Sequence, residues 1–432
     1  MMECFPKIWR KISTRSGARV RYYFFGIKIA SFKRKINFIK IYRRFRKVER
    51  KIKNKAKINV AFLVTLPSMF PARPVMERMI KSAKYNVSIM LIPDFRFGIE
   101  RAKEIQEKGY KELNDFQEHI RIVPISRVGF YNIERYADIV FPSTPYDISH
   151  PEFDLLNIAE SGILPAMVNY GFFRSYYDRK LISDRRYALY WKVFAETKYN
   201  EEEYKRHSVL KGENVVLTGY CKMDGYKNRE RRTRRKKIMI APHHSLEGGF
   251  NDILSLSNFD RYANLFLELP DRYPNLDFIF RPHPALFIFL SRQEYWGNEK
   301  VNSYIHMMKS KKNVVYSDGG DYFKEFADSD ALIDDCGSFL VEYFYTGKPQ
   351  CYLLKGESDI QYKFTKLGKK CLANCYLAYS DSQIIEFIEE VVIGGCDKKS
   401  IERLEFAKEI MLNYPYASDV ALDHLDRIFD RR

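Results

Sequence analysis

The chain has no apolar run near the roughly 20 residues a membrane-spanning helix needs. Its first residues carry charges with no apolar stretch behind them, which argues against a secretory signal. Neither a GxGxxG fingerprint nor a GxxxxGK[ST] phosphate loop occurs, so the two commonest nucleotide-binding signatures are missing. The seven cysteines (4, 221, 336, 351, 371, 375 and 396) are scattered and odd in number. Only Cys371 and Cys375 are close, without the pair-of-pairs spacing of a zinc site, which leaves reduced thiols and a cytoplasmic setting as the expectation. There is no repeat of solenoid period and no low-complexity tract beyond the basic runs.

Acidic residues are nearly absent from one end. Residues 1–58 hold 20 Lys/Arg against only Glu3 and Glu49, while the remaining 53 Lys/Arg balance 53 Asp/Glu. The net charge of +18 over 432 residues therefore belongs to an N-terminal arm. A neutral body argues against a nucleic-acid-binding domain. Within the arm, Arg21 to Lys35 suggests a hairpin around Gly26. Apolar residues at 38, 41, 42, 45, 48 and 52 then give helical spacing, with Arg43, Arg44, Arg46, Lys47, Arg50 and Lys51 on the other faces. Such a helix suits an anionic membrane surface, or else packs on the body.

Beyond the arm (1–57), buried strands alternate with helical stretches, the pattern of parallel sheets. Strands are expected at Ile58–Val64, Asn86–Ile92, Ala137–Phe141, Ile163–Val168 and Val215–Gly219, giving a first Rossmann-like domain over 58–226. A basic linker (227–237) leads to a second Rossmann-like domain over 238–381, with strands at Ile238–Ala241, Asp277–Phe280, Val314–Tyr316, Ala331–Ile333 and Gln350–Leu354. Residues 382–432 are expected to be C-terminal helices. Two such domains in tandem suggest a GT-B-like α/β fold whose domains face a ligand cleft.

Three strand ends carry chemistry. Ala241-Pro242-His243-His244-Ser245 places two histidines at a carboxyl edge, where alternation in an extended chain would let only one face a ligand. Arg281-Pro282-His283-Pro284 offers a guanidinium fork and a histidine on a turn stiffened by proline. Asp334-Asp335-Cys336-Gly337-Ser338 precedes a helix expected at Phe339–Tyr345. Asp335 or Ser338 could cap that helix, and the amides of Gly337, Ser338 and Phe339 could face a diphosphate. Glu342, one turn on, could accept ribose hydroxyls or sit in a salt bridge. The Asp334-Asp335 pair lacks an evident third metal ligand, so capping is favoured over metal binding.

Together, TGYCKMD (218–224), IAPHHS (240–245), FRPHP (280–284) and SDALIDDCGSFLVEYFYTGKP (329–349) resemble the CDP-glycerol glycerophosphotransferase family of teichoic-acid and capsule enzymes. The resemblance covers roughly residues 160–360. It implies a GT-B enzyme moving a polyol phosphate from a CDP-activated donor to a hydroxyl of a lipid-linked or polymer acceptor at the inner membrane face, releasing CMP. Neutralisation of the phosphates by arginine, histidine and a helix terminus leaves no tightly bound cofactor and no divalent metal required by this reading, without excluding one. Family members carry a histidine-glycine pair in the N-terminal domain, where this chain has Asn169-Tyr170-Gly171-Phe172. His243 is then the leading base candidate, while His283 and Arg281 would stabilise the transferring phosphoryl oxygens. Donor binding falls to His244, Ser245, Arg281, Asp335, Gly337, Ser338, Phe339 and Glu342, and the acceptor side to Tyr170 and Gly171. The alternatives are a GT-B glycosyltransferase using a nucleotide sugar, and a degenerate body that only binds.

Overall fold

The computed structural model describes residues 9–13, 19–24, 27–33, 36–125, 133, 136–227, 235–246 and 254–430. Strands β1 (Trp9–Ser13), β2 (Arg19–Phe24) and β3 (Ile27–Lys33) form a small antiparallel sheet. A seven-stranded parallel sheet follows, built from β4 (Ile58–Val64), β5 (Tyr85–Leu91), β6 (Ile120–Ile122), β7 (Ile139–Pro142), β8 (Leu164–Val168), β9 (Lys192–Ala195) and β10 (Val215–Leu217), in the order β10-β9-β8-β7-β4-β5-β6. The second parallel sheet has six strands: β11 (Lys237–Ala241), β12 (Asp277–Phe280), β13 (Val314–Tyr316), β14 (Ala331–Asp334), β15 (Gln350–Leu353) and β16 (Tyr376–Ala378), ordered β13-β12-β11-β14-β15-β16.

Helices cover both faces of the parallel sheets, so their central strands are apolar throughout instead of alternating. Val60, Phe62 and Val64 point to one layer and Ala61 and Leu63 to the other, and all five are buried. The second sheet behaves alike, with Ile238 and Ile240 on one side and Met239 and Ala241 on the other. Strands β6, β9 and β16 escape the sequence pattern. Each has only three or four residues.

The N-terminal region differs from a free arm. The amphipathic helix exists, at Phe38–Ile52, but Ile41, Phe45 and Ile52 are buried in the core of the first domain. Tyr42 donates to the carbonyl of Ala188 and Arg44 to that of Glu160. Most of the apolar face thus serves the protein's own core, and the exposed face carries Lys40, Arg43, Arg46, Lys47 and Arg50 together with the exposed Ile39. Most of the expected basic linker, residues 228–234, lies outside the described residues.

The C-terminal helices also divide. Ser400–Ile410 packs on the second domain, whereas Ala417–Phe429 returns to the first, burying Leu425 and Phe429 in its core. Arg78 forms a two-pronged ion pair with Asp419, at 2.6 and 2.7 Å. Asp224, from the TGYCKMD stretch, accepts the amides of Ala417 (3.2 Å) and Ser418 (2.7 Å) and so caps the returning helix. Gly219 of the same stretch has φ +91°, and Asn413 donates to the adjacent Thr218 carbonyl at 3.0 Å. This stretch is therefore the seat on which the chain crosses back between domains.

Candidate functional site

Strands β11 and β12 run parallel with Ile240 opposite Phe280, so the turns after them emerge side by side. Prolines 242, 282 and 284 lack the amide that would continue the ladder. The His283 amide donates to the Pro242 carbonyl at 2.9 Å, tying the two turns together. Three imidazoles collect there. Ring centroids lie 4.3 Å apart for His243 and His244, 4.0 Å for His244 and His283, and 5.2 Å for His243 and His283. The expectation that only one of the adjacent pair could face the site fails, because strand alternation ends at Ala241 and the backbone turns between them.

Hydrogen bonds set the tautomers of two of the rings. Nδ1 of His243 accepts from the Ser245 amide at 3.2 Å and lies 2.7 Å from the Ser245 hydroxyl, whose oxygen accepts the Leu256 amide at 3.0 Å. Nδ1 of His283 accepts from the Ala285 amide at 3.1 Å. A nitrogen accepting a backbone N–H bears no proton, so in the neutral ring the proton sits on Nε2. Both rings are neutral near pH 7. Burial pushes His243 well below its ordinary pKa, and His244, His283 and the charge of Arg174 act the same way. Burial does the same to His283, helped by His244, Arg96 and Arg281. Burial lowers His244 to about 4. His243 and His283 are thus N–H donors at Nε2, and the base role expected of His243 is corrected to that of a donor.

The acidic turn after β14 is also reassigned. Asp335 is buried and accepts the amides of His243 (2.6 Å) and Asn258 (2.5 Å). It holds the histidine turn in place and caps nothing in its own helix. Asp334 accepts from Gln350 at 2.8 Å and the Cys336 amide at 3.2 Å. The following α-helix, Phe339–Glu342, is a single turn that continues as a tighter 3-10 turn over Tyr343–Thr346, and Ser338 makes no side-chain cap. The α-helical part is one turn, so its dipole adds little to the anion-binding capacity of the 337–339 amides. Phe339 packs against Tyr322 and Phe326.

Two further candidates, Glu342 and Arg281, already have internal partners. Glu342 is fully buried, accepting from Tyr322 (2.6 Å) and Tyr220 (3.2 Å) with Lys222 at 3.5 Å. It joins the domains and is closed to a ribose. Arg281 donates from Nη1 to Ser317 (2.8 Å), Glu325 (2.8 Å) and the Gly319 carbonyl and from Nη2 to the Gly320 carbonyl, so most of its fork supports that turn.

The first domain meets this turn through the segment after β8. Gly171 stands so close to Ser338 that a Cβ there would lie 3.3 Å from its hydroxyl. Tyr170 bonds Tyr146, hydroxyl to hydroxyl, at 3.2 Å. Thr365 donates its hydroxyl to the Phe173 carbonyl (3.0 Å) and its amide to the Arg174 carbonyl (2.9 Å), stitching the domains together. Arg174 reaches Gly337, and Arg96, held by Asp94 at 2.6 Å, brings a second charge toward His283. Neither arginine carries a motif in the sequence. Arg174 lies three residues past Gly171, and only its proximity to that position could have flagged it.

Buried carboxyls give the region a pH signature. Glu196, just after β9, has no exposed surface, and burial raises it to about 8 despite bonds from Asn169 and Asn200. Asp335 is raised to about 7, mainly by burial. A carboxyl raised in the folded state stabilises below its unfolded pKa, and that stability is lost as pH rises through the folded value. The histidines act oppositely, their contribution being lost only as pH falls below 6.5. Between pH 6.5 and 8 the carboxyls act alone, and stability should fall by up to about 1.4 kcal/mol per pH unit for each titrating group. Urea melts across that window should show the decline, and Glu196→Gln should flatten it. An unchanged slope in the variant would assign the decline elsewhere.

No known family profile matches the chain, and no curated protein matches it in sequence. Solved structures do match. A putative UDP-N-acetylglucosamine 2-epimerase from Listeria monocytogenes superposes with a TM-score of 0.56 at 13% identity, over 87% of this chain and 97% of that one. The UDP-GlcNAc 2-epimerase from Neisseria meningitidis bound to UDP-GlcNAc gives 0.52 at 16%, over 86% and 100%. The wall teichoic acid polymerase TagF gives 0.52 at 13%, over 91% and 96%. At these identities the likeness establishes the fold: two Rossmann-like domains in a GT-B-like arrangement.

Proposed function

We propose that this protein is a GT-B transferase that moves a polyol phosphate, glycerol phosphate or a close relative, from a CDP-activated donor to a hydroxyl of a surface polysaccharide or lipid-linked acceptor. The acceptor hydroxyl attacks the β-phosphorus, the bond from that phosphorus to the bridging oxygen breaks, CMP leaves with the bonding pair on its phosphate oxygen, and the hydroxyl proton is taken up by the departing phosphate or by water. The observation that carries the reading is the histidine cluster, with two neutral rings locked as Nε2–H donors at the carboxyl edge of the second sheet. Such donors suit phosphoryl oxygens whose charge shifts during transfer. Phosphoryl transfer has a loose transition state, so positioning and charge stabilisation matter more than a strong base. The motif resemblance and the TagF-like fold support the polyol-phosphate version.

The same tautomers support a metal-free reaction. One nitrogen from each of His243, His244 and His283 lies within 4.8 Å of the others, close enough to suggest a cation site. A metal-binding histidine ordinarily donates its other ring N–H to a neighbour. Here the other nitrogens of His243 and His283 accept amides, which leaves protons where a metal would need lone pairs.

A nucleotide-sugar donor is the second reading, favoured by the fold shared with a structure holding UDP-GlcNAc. The donor whose nucleotide is released separates the two.

Among the described residues no helix is long and apolar enough to cross a membrane. We place the protein on the inner membrane face through the exposed basic face of Phe38–Ile52, which would bind anionic lipid mainly by charge, with the exposed Ile39 beside it. Each basic residue near such a surface contributes about 1 kcal/mol. Reversing Lys40, Arg43 and Lys47 to Glu should therefore weaken binding to phosphatidylserine vesicles by about 100-fold or more, and added salt should do the same. Unaltered vesicle binding in the variant would exclude this face. Cutting away all of residues 1–57 is a poor test, since it also strips Ile41, Phe45 and Ile52 from the core.

A further inference from the structure

Among the described residues, Arg174 is the guanidinium of the first domain that lies against the turn after β14. A Cβ built on Gly337 would strike its Nη2, Nε and Cζ atoms. The side of the guanidinium that carries Nε and Nη2 therefore faces the turn. That is the pair of N–H groups arginine uses to grip two oxygens of one anion. The opposite end is anchored. Nη1 donates to Asp178 at 2.6 Å and to the Phe172 carbonyl at 3.3 Å, while Asp178 also accepts the amides of Arg174 (3.1 Å) and Ser175 (2.8 Å). Nε, in contrast, is buried and has no hydrogen-bond partner among the described residues. A buried, unpaired donor on a charged group costs free energy unless a ligand completes it. The side chain is 12% exposed, so little water reaches it. Its charge acts on both His243 and Cys336, so the histidine cluster and the 336–338 turn both lie within its electrostatic reach.

We propose that Arg174 is a ligand-binding residue that grips the donor's diphosphate from the first domain, opposite the His243 and His283 donors of the second. The inference rests on the reading of a nucleoside-diphosphate donor and adds a residue to it. It gives the anion a charged partner beside the 337–339 turn. It also makes the site bipartite, complete only while Thr365 holds the segment around Arg174 against the second domain.

The test is equilibrium binding of inorganic diphosphate, CDP, UDP and cytidine to the full chain, in the wild type, Arg174→Gln and Gly337→Ala. The second variant keeps the arginine and displaces its guanidinium, at a glycine whose backbone is outside the left-handed region. Truncating one partner of a buried charged contact weakens binding on the order of 30-fold or more. Both variants should lose that much affinity for inorganic diphosphate and for the nucleoside diphosphate, with cytidine unchanged. Wild-type-like diphosphate binding in both variants, or an equal loss for cytidine, would overturn the proposal. If UDP shows the Arg174 dependence and CDP does not bind, the arginine's role stands and the polyol-phosphate reading falls. If CDP binds tightly whether or not Arg174 is present, the polyol-phosphate reading stands and the arginine's role falls. Failure of the wild type to bind any of the phosphorylated probes removes both.

Discussion

His283→Ala and His243→Ala should each lower kcat for donor turnover by about 10²–10³-fold, the usual effect of deleting one preorganised donor to a developing oxyanion. The informative comparison is with glutamine. Its side-chain N–H lies close to where a histidine presents Nε2–H, yet it has no basic nitrogen to take a proton. Because Nδ1 of each ring is occupied by a backbone amide, the reactive face is a donor face. His243→Gln and His283→Gln should therefore recover most of what alanine loses, staying within about 10-fold of wild type. A general base would give the opposite pattern, with glutamine as poor as alanine. The pH profile separates the two as well. Burial pushes both rings well below the ordinary histidine range, so activity should stay flat down through pH 6.5, where an unperturbed histidine base would already be failing.

Gly219→Ala should destabilise the protein by about 3–5 kcal/mol. The position has φ +91°, which an L-residue adopts only at a cost. A Cβ would also run into the Leu412 carbonyl group and press on Ala417 at 3.1 Å. Both neighbours are backbone or buried core of the crossing segment, so neither can move aside cheaply. Gly395→Ala is the control, having φ +72° with open space around it. It should cost only about 1 kcal/mol. The difference between the two melts measures how tightly TGYCKMD seats the returning helix. Equal losses would mean that the crossing is loosely packed.

Much of this architecture was legible because parallel sheets covered on both faces leave unmixed apolar runs. Ile58–Val64 and Asp277–Phe280 match that signal residue for residue. That the turns after β11 and β12 lie side by side followed too, since both sit at carboxyl ends of one expected sheet, but the gathering of both His243 and His244 beside His283 did not. What escaped was pairing at a distance. Glu342 meets Tyr220, more than a hundred residues away, and Arg281 meets Glu325. No local pattern encodes which of several buried partners a charge will find. The helix Phe38–Ile52 shows a different limit. An amphipathic stripe fits lipid and protein alike, and only the shape of the first domain decided that Ile41 and Phe45 go inward. Arg174 combines both difficulties, acting across domains from a segment whose spacing carries no motif.

The central claim is transfer of a phosphorylated polyol. The most direct measurement is mass-spectrometric identification of the nucleotide released from CDP-glycerol, CDP-ribitol, UDP-sugars and CMP-sugars, with membrane extract supplying the acceptor. The account predicts CMP from a CDP-polyol and from no other donor, and its loss in His283→Ala. Nucleotide released only from a sugar donor would contradict it.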